Sequence, residues 1–298
     1  MSVRDTVRKM VPTALLEWNR KRKKQQQRKR LEEKRAAGAV WTKEKLMASL
    51  KEAGVDPSKD LLVHSAMSKI GYVEGGPATV VAALQEVLDA SSTLLMPTSP
   101  VVTLQAKHDL DMFDVKNTPS KMGAITEYFR SNVATHRSAH PLEPVAAAGP
   151  KAKEYTALHH TDPTSYGKNS PWRKHMEEGG QILYIGTTLI NSGTSLHAVE
   201  DAIGHKDFKF PIYLEQRKAF GVLLGGRKLS ITSTVHNPEW SNKRECDGLI
   251  PLLERRGGLQ RVVIGEAPAL LVDAAKMKSI LLEEYAERGV TMYTPQGS

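Results

Sequence analysis

Apolar residues fall into two patterns along most of this chain. Some form short continuous runs; others recur every three or four positions. The runs are Leu61-Leu62-Val63-His64, Thr93-Leu94-Leu95-Met96-Pro97, Gln181-Ile182-Leu183-Tyr184-Ile185-Gly186 and Val262-Val263-Ile264. Each is too short for an ordinary helix, so each predicts a buried strand. The periodic stretches predict helices. One spans 42–53, capped by Thr42 with Glu44 in its first turn and stopped by Gly54. A second, 77–90, opens with Pro77 and places Val80, Val81, Leu84, Val87 and Leu88 on one face. Others are predicted over 119–131, with Pro119 near the first turn, over 194–203, and over 270–287. Val222-Leu223-Leu224 and Leu229-Ser230-Ile231-Thr232 flank Gly225-Gly226 and predict an antiparallel pair. Apolar strands alternating with amphipathic helices predict an α/β fold: a mostly parallel central sheet covered on both faces, with a smaller antiparallel part.

The first 38 residues differ. Val3, Val7, Met10, Val11, Ala14, Leu15 and Trp18 share a helical face, interrupted at Pro12. A basic cluster follows, Arg20-Lys21-Arg22-Lys23-Lys24 and then Arg28-Lys29-Arg30. This predicts a basic amphipathic arm over 1–38 and a folded domain over 41–298. The arm holds 13 Lys/Arg and 4 Asp/Glu, a net of +9 that equals the net charge of the whole 298-residue chain. The totals of 42 and 33 thus leave 29 of each sign in the body, which is neutral. An argument for anionic partners therefore concerns the arm alone. An apolar stripe followed by lysines and arginines suits peripheral contact with an anionic membrane through residues 1–35. A solvated helix, or a helix packed on another subunit as in a homo-oligomer, suits it too. Nucleic acid is not expected, because no aromatics interleave with the basic run. No apolar run is long enough to span a bilayer, and the start lacks the features of a secretory signal. The single cysteine, Cys246, excludes an intramolecular disulfide. These features fit the cytoplasm.

Three segments could carry chemistry. The stretch from Val63 to Pro77, with Gly71, Gly75 and Gly76, joins a strand to a helix and could cradle a pyrophosphate; it has neither the P-loop nor the dinucleotide spacing. In Asn191-Ser192-Gly193-Thr194-Ser195-Leu196-His197-Ala198-Val199-Glu200, His197 and Glu200 lie three apart and share a helical face. A carboxylate beside an imidazole makes the ring a better proton acceptor. A capped helix start with a half-exposed histidine fits the same residues. The third segment is Arg137-Ser138-Ala139-His140-Pro141. Pro141 argues against His136 and His140 sharing a helix as metal ligands, and no metal is expected.

Read together, these segments resemble the antibiotic N-acetyltransferase family, whose founding members acetylate the 3-amino group of aminoglycosides. The matching stretches stand in family order over roughly residues 42–290: Val63-His64-Ser65 through Gly75-Gly76; Leu94-Leu95-Met96-Pro97-Thr98; Thr118-Pro119-Ser120-Lys121-Met122-Gly123; Phe129-Arg130; Arg137 to Pro141; Ala146-Ala147-Ala148-Gly149; Tyr166-Gly167 with Ser170-Pro171; and Gly193-Thr194 with His197 and Glu200. The resemblance implies an α/β/α sandwich and acetyl-CoA as donor, held by His64, Ser65, Ser68, Gly71, Tyr72, Val73, Gly75 and Gly76 together with Arg137 and Ser138. It implies that His197 is the general base, supported by Glu200, with Thr98 and Thr194 near the thioester. Transfer is expected to be direct, since Cys246 lies outside the matched motifs and Ser65 lacks a nucleophile elbow.

Two departures concern the acceptor. Leu142-Glu143-Pro144 follows His140-Pro141 where many members carry a second histidine, and Ser99-Pro100 follow Met96-Pro97-Thr98. Asp109, Asp111, Asp114, His140 and Glu143 are the candidates for holding the acceptor, the carboxylates as a local acidic cleft for a cationic amine. The expected acceptor is the amino group of an amino sugar, either nucleotide- or lipid-linked in surface-glycan synthesis or an aminoglycoside. A non-sugar amine, and a non-catalytic interaction module, are the alternatives.

Overall fold

A computed structural model describes residues 13–101, 109–204, 208 and 211–297. Twelve strands are present: β1 (Val40–Trp41), β2 (Leu61–Ser65), β3 (Tyr72–Val73), β4 (Leu94–Pro97), β5 (Met112–Asp114), β6 (His136–Arg137), β7 (Val145–Ala148), β8 (Gln181–Ile185), β9 (Lys218–Leu224), β10 (Arg227–Ser233), β11 (Leu259–Ile264) and β12 (Ala267–Asp273). The main sheet has seven strands in the order β11-β12-β8-β2-β4-β7-β6. Its centre is parallel: β2 pairs in parallel with both β8 and β4. Antiparallel pairs extend it at both sides. A three-stranded sheet, β10-β9-β5, contains the pair predicted around Gly225-Gly226.

Alternation along the central strands builds two cores. Leu61, Val63, Leu183 and Ile185 face one side, against α2 (Lys43–Glu52), α3 (Pro77–Val87) and α4 (Ala124–Asn132). Leu62, Ile182 and Tyr184 face the other, against α5 (Pro171–Glu177), α6 (Thr194–Ile203) and α7 (Ala274–Arg288). Burial on both faces is why these strands read as unbroken apolar runs. The result is a three-layer α/β/α sandwich.

Two predicted helices begin later than their patterns suggest. Residues 119–123 form a turn, closed by Glu127, whose Oε2 accepts from Ser120 N at 2.7 Å, and by Gly123 at φ 115°. Residues 270–273 belong to β12, and α7 starts only after Asp273, whose Oδ1 accepts from Lys276 N.

The arm forms helix α1 (Thr13–Ala36), and its last turns lie on the body. Gln27 Nε2 donates to Ser68 O at 3.1 Å, Lys34 pairs with Glu266, and the Arg35 guanidinium lies 5.7 Å from the Tyr72 ring centroid. From Lys21 onward the described side chains of α1, Leu31 and Ala36 apart, are polar and mostly exposed. Of the predicted stripe, Val3, Val7, Met10 and Val11 lie outside the described residues, as do the side chains of Ala14 and Leu15; Trp18 is exposed, with Arg22 stacked over it. Among the described residues no helix is long and apolar enough to cross a membrane.

Among the buried histidines, three are held neutral by their burial. Burial lowers His64 and His159 to about 3 and His175 to about 4. His175 donates Nε2–H to Asp60 O, and His159 donates to Ser165 O. Above pH ~6.5 these rings are neutral in both folded and unfolded chains. Below it the unfolded chain takes up protons that the folded chain refuses, so stability falls with falling pH. The loss reaches up to about 4 kcal/mol per pH unit for three rings, at ~1.4 each. Urea midpoints should therefore fall steadily from pH 6.5 toward pH 4. A flat profile over that window would show these rings titrating freely in the fold.

Candidate active site

The parallel strands β4 and β8 end at Pro97 and Ile185, and the stretches that follow them, through Val101 and Leu189 to His197, help line a cleft of about 250 Å³. Its described lining includes Met122, Glu143, Tyr166, Asn191, Gly193, Thr194, His197, His236, Arg244 and Cys246. The start of α6 forms one wall. A short helix, Leu189–Ser192, folds back against it at Gly193. A Cβ at Gly193 would come 2.3 Å from Leu189 O, so this close approach requires glycine. Asp247 Oδ1 accepts from Ile190 N and ties the turn to the 241–247 loop opposite.

His197 sits one turn into α6. Its Nδ1 lies 2.7 Å from Oε2 of Glu200, and both side chains are buried. On the other side of the ring, Arg244 Nη1 lies 3.2 Å from Nε2. A guanidinium only donates, so Nε2 is the accepting nitrogen and Nδ1 carries the proton toward Glu200. Burial pushes Glu200 well above the ordinary carboxylate range, against the opposing pull of Arg244. Glu200 accepts from Nδ1–H and so fixes the tautomer and the orientation of the ring. Tyr166 stacks on the imidazole at 5.0 Å, and His236 lies 4.3 Å away. Cys246 also lines the cleft, but burial pushes its thiol up to about 11, which leaves little thiolate at neutral pH.

The remaining candidates divide sharply. Thr194 and Glu143 join His197 in the cleft. Thr98 does not. It is fully buried; its hydroxyl donates to Pro144 O and accepts from Arg137 Nε, each at 3.0 Å, so it is not free to serve a thioester. Arg137 is a strut, donating also to the carbonyls of Thr98, Val115 and Thr118 above the Phe113 ring. Burial lowers it to about 9. Ser138 is buried between Val145 N and His159 Nδ1, and His140 is buried against the His159 ring. His64 is sandwiched between Tyr184 and Trp172 in the core. Ser138, His140 and His64 are buried, and Arg137 is half-buried on a separate groove with Lys116, Asn117 and Arg130. Asp114 closes a turn onto Lys116 N and Asn117 N, and exposed Asp111 leads into β5 beside Gly221; neither lines the cleft. Of the predicted acidic cleft, Glu143 alone is present in the lining among the described residues.

The loop from Ser65 to Gly76 stands beside the cleft, with Gly123 near Ser65 O. Ser68 and Gly71 line a separate groove with Lys69 and, from the arm, Arg30 and Lys34. Tyr72 and Val73 form β3 against β1, Val73 being buried. Gly75 and Gly76 adopt positive φ ahead of α3. Among the described residues no three His, Cys, Asp or Glu side chains converge as a metal site.

Sequence reading missed His236 and Arg244. Both lie in 234–247, which has no hydrophobic period and no neighbouring motif; only the return of the chain from the second sheet brings them to α6.

A sandwich whose cleft opens at the carboxyl ends of parallel strands, with a histidine–carboxylate pair in its wall, is an α/β protein of the kind whose sites are built from strand-end loops. Residues 62–284 match the aminoglycoside 3-N-acetyltransferase family, and the chain belongs to that family, whose enzymes use acetyl-CoA as donor. Aminoglycoside N(3)-acetyltransferase VII of Streptomyces paromomycinus is 29% identical over 207 residues, 63% of this chain and 71% of that one. Aminoglycoside N(3)-acetyltransferase III of Serratia marcescens is 32% identical over 173 residues, 53% of this chain and 64% of the relative. Among solved structures, AAC-VIa bound to sisomicin superposes with a TM-score of 0.69 at 24% identity, covering 83% of this chain and 98% of that one. AAC-IIIb in binary complex with CoASH gives 0.67 at 24%, covering 83% and 97%. These superpositions show the common fold.

Proposed function

We propose that this protein transfers the acetyl group of acetyl-CoA directly to the amino group of an amino sugar, with His197 as general base. The observation that carries the reading is the oriented pair on the cleft lining: Nδ1 tied to Glu200 at 2.7 Å, Nε2 beside Arg244 at 3.2 Å. An amine at neutral pH is mostly ammonium, and it must lose a proton to attack a thioester carbonyl. The ammonium first gives one proton to solvent; as the neutral amine's N–C bond forms its nitrogen becomes cationic, and Nε2 takes the second proton. Glu200 balances the resulting imidazolium. The carbonyl oxygen gathers negative charge in the tetrahedral intermediate, and the Thr194 hydroxyl and N–H groups at the start of α6 are the nearby donors for it. The C–S bond then breaks, and the thiolate of CoA leaves, protonated from His197. The high proton affinity of the buried Cys246 thiol favours this direct route over an acyl-enzyme. Arg30, Lys34 and Lys69 beside Ser68 would meet the donor's phosphates. Aminoglycosides, the acceptors named for the family, are the first amino sugars to test. The experiment is release of free CoA thiol from acetyl-CoA with a panel of amino sugars and aminoglycosides. Turnover with at least one supports the reading, and none with any would refute it.

The arm adds peripheral contact with anionic lipid to this proposal. Its basic residues outnumber acidic ones by 13 to 4, and among the described residues Gln27, Lys34 and Arg35 touch the body. The basic residues would supply an electrostatic contact, near 1 kcal/mol per residue at the surface and strongly salt-dependent. Phosphatidylserine vesicles should sediment the full chain at low salt and not a chain beginning at Val40. Equal sedimentation of both would refute the contact.

A further inference from the structure

We infer that the basic arm is part of the donor site: α1 and the turn after β2 enclose a groove that takes the 3′-phosphate of CoA, and bound donor fastens the arm to the body. This rests on the transferase reading above and deepens it. The arm lies outside residues 62–284, the segment matched to the family, so the family likeness does not account for it.

The arm is held to the body by polar contacts. Gln27 Nε2 donates to Ser68 O, Lys34 pairs with Glu266, and Arg35 lies over the Tyr72 ring. A helix normally docks by burying an apolar stripe. Here a groove of about 510 Å³ stands between α1 and the body. The arm lines it with Gln26, Gln27, Arg30, Leu31 and Lys34, and half-buried Leu31 is the one apolar side chain among them. Lys69 joins from the turn after β2, and Glu266 from the turn between β11 and β12. Three cations thus share one carboxylate. Their excess charge opposes docking, and an anion among them turns repulsion into attraction. Position points to the donor as the source of that anion. The turn after β8 links the groove to the cleft. A Cβ at Gly186 would come 2.5 Å from Lys69 Cβ, so the end of β8 packs directly on Lys69. Beyond it Leu189 already lines the cleft that holds His197. A donor with its thioester in the cleft can therefore extend its nucleotide end over this turn. Chemistry selects the phosphate. The 3′-phosphate is a terminal monoester with about two negative charges and three open oxygens. It suits one arginine and two lysines that approach from two elements. The pyrophosphate lies mid-chain, with less charge on each phosphate.

CoA, 3′-dephospho-CoA and their acetyl thioesters are the probes. Calorimetry with the free thiols reads the groove; thiol release from the thioesters reads the transferase. The full chain should bind CoA about 10- to 100-fold more tightly than 3′-dephospho-CoA, the range of charge-assisted bonds to one phosphate. Arg30→Gln combined with Lys69→Gln should remove most of that preference and raise KM for acetyl-CoA. Both side chains are exposed, so the fold should persist. Arg28→Gln combined with Lys29→Gln removes the same charge from outside the groove lining, and should keep the preference. CoA should slow tryptic cleavage within the arm more than 3′-dephospho-CoA does, at equal occupancy. A 3′-phosphate preference that depends on Arg30 and Lys69, without thiol release toward any amine, would uphold the groove and refute the transferase reading. Equal affinity for CoA and 3′-dephospho-CoA, an undiminished preference in the Arg30 and Lys69 variant, or an equal loss in the Arg28 and Lys29 variant would overturn the proposal, whatever the turnover. No binding of CoA at all would overturn both.

Discussion

Replacing His197 with alanine should lower kcat/KM for amine acetylation by about 10²- to 10⁴-fold, the usual contribution of a positioned general base. The loss should appear in kcat with whichever amine is used, because the proton is taken in the chemical step. Donor binding should be nearly unchanged. The substitution removes a side chain that is 3% exposed and stacked on Tyr166, so folding needs its own check by circular dichroism and urea titration. Arg244 and Glu200 are left to pair across the gap, which keeps the buried carboxyl from standing alone. Free-thiol release from acetyl-CoA, compared at matched folded fraction, decides the matter. An unchanged rate would remove His197 from the chemistry.

Trp172→Ala should be the most damaging change away from the cleft, costing about 3–5 kcal/mol of stability. The indole is 1% exposed on α5, and its Nε1–H donates to Glu143 O at 3.2 Å. One face stacks on His64, which stacks in turn on Tyr184 of β8. Truncation leaves a cavity beside a neutral histidine, frees a buried carbonyl, and loosens the segment that brings Glu143 into the cleft. Both the urea midpoint and the rate should fall, and the rate should recover only in part at low temperature. A midpoint within about 1 kcal/mol of wild type would mean that the site collapses around the lost ring.

The core strands and most helices were legible because burial on two faces leaves a plain signature: Leu61-Leu62-Val63 and Ile182-Leu183-Tyr184 admit few other readings. The end of the chain was ambiguous for the same reason. Leu270-Leu271-Val272 fits a buried strand and a helix face equally, and Asp273, the residue that caps α7, lay inside the predicted helix. In the site, the i, i+3 spacing of His197 and Glu200 was enough to place them together, because both ride on one helix. Local pattern could not separate residues that touch a ligand from residues that hold the loops. His64, Thr98, Arg137, Ser138 and His140 occupy motif positions, yet each is buried or tied up within the protein. Arg244 and His236 reach His197 only through tertiary contacts, which a one-dimensional pattern does not record.

The most direct test is a crystal structure with CoA bound. The donor sulfur is expected in the cleft between α6 and the 241–247 loop, roughly 6 Å from His197 Nε2, so that one amine fits between them at contacts of about 3 Å. A sulfur bound elsewhere, with His197 still enclosed by Tyr166, His236 and Arg244 and facing no ligand, would contradict it.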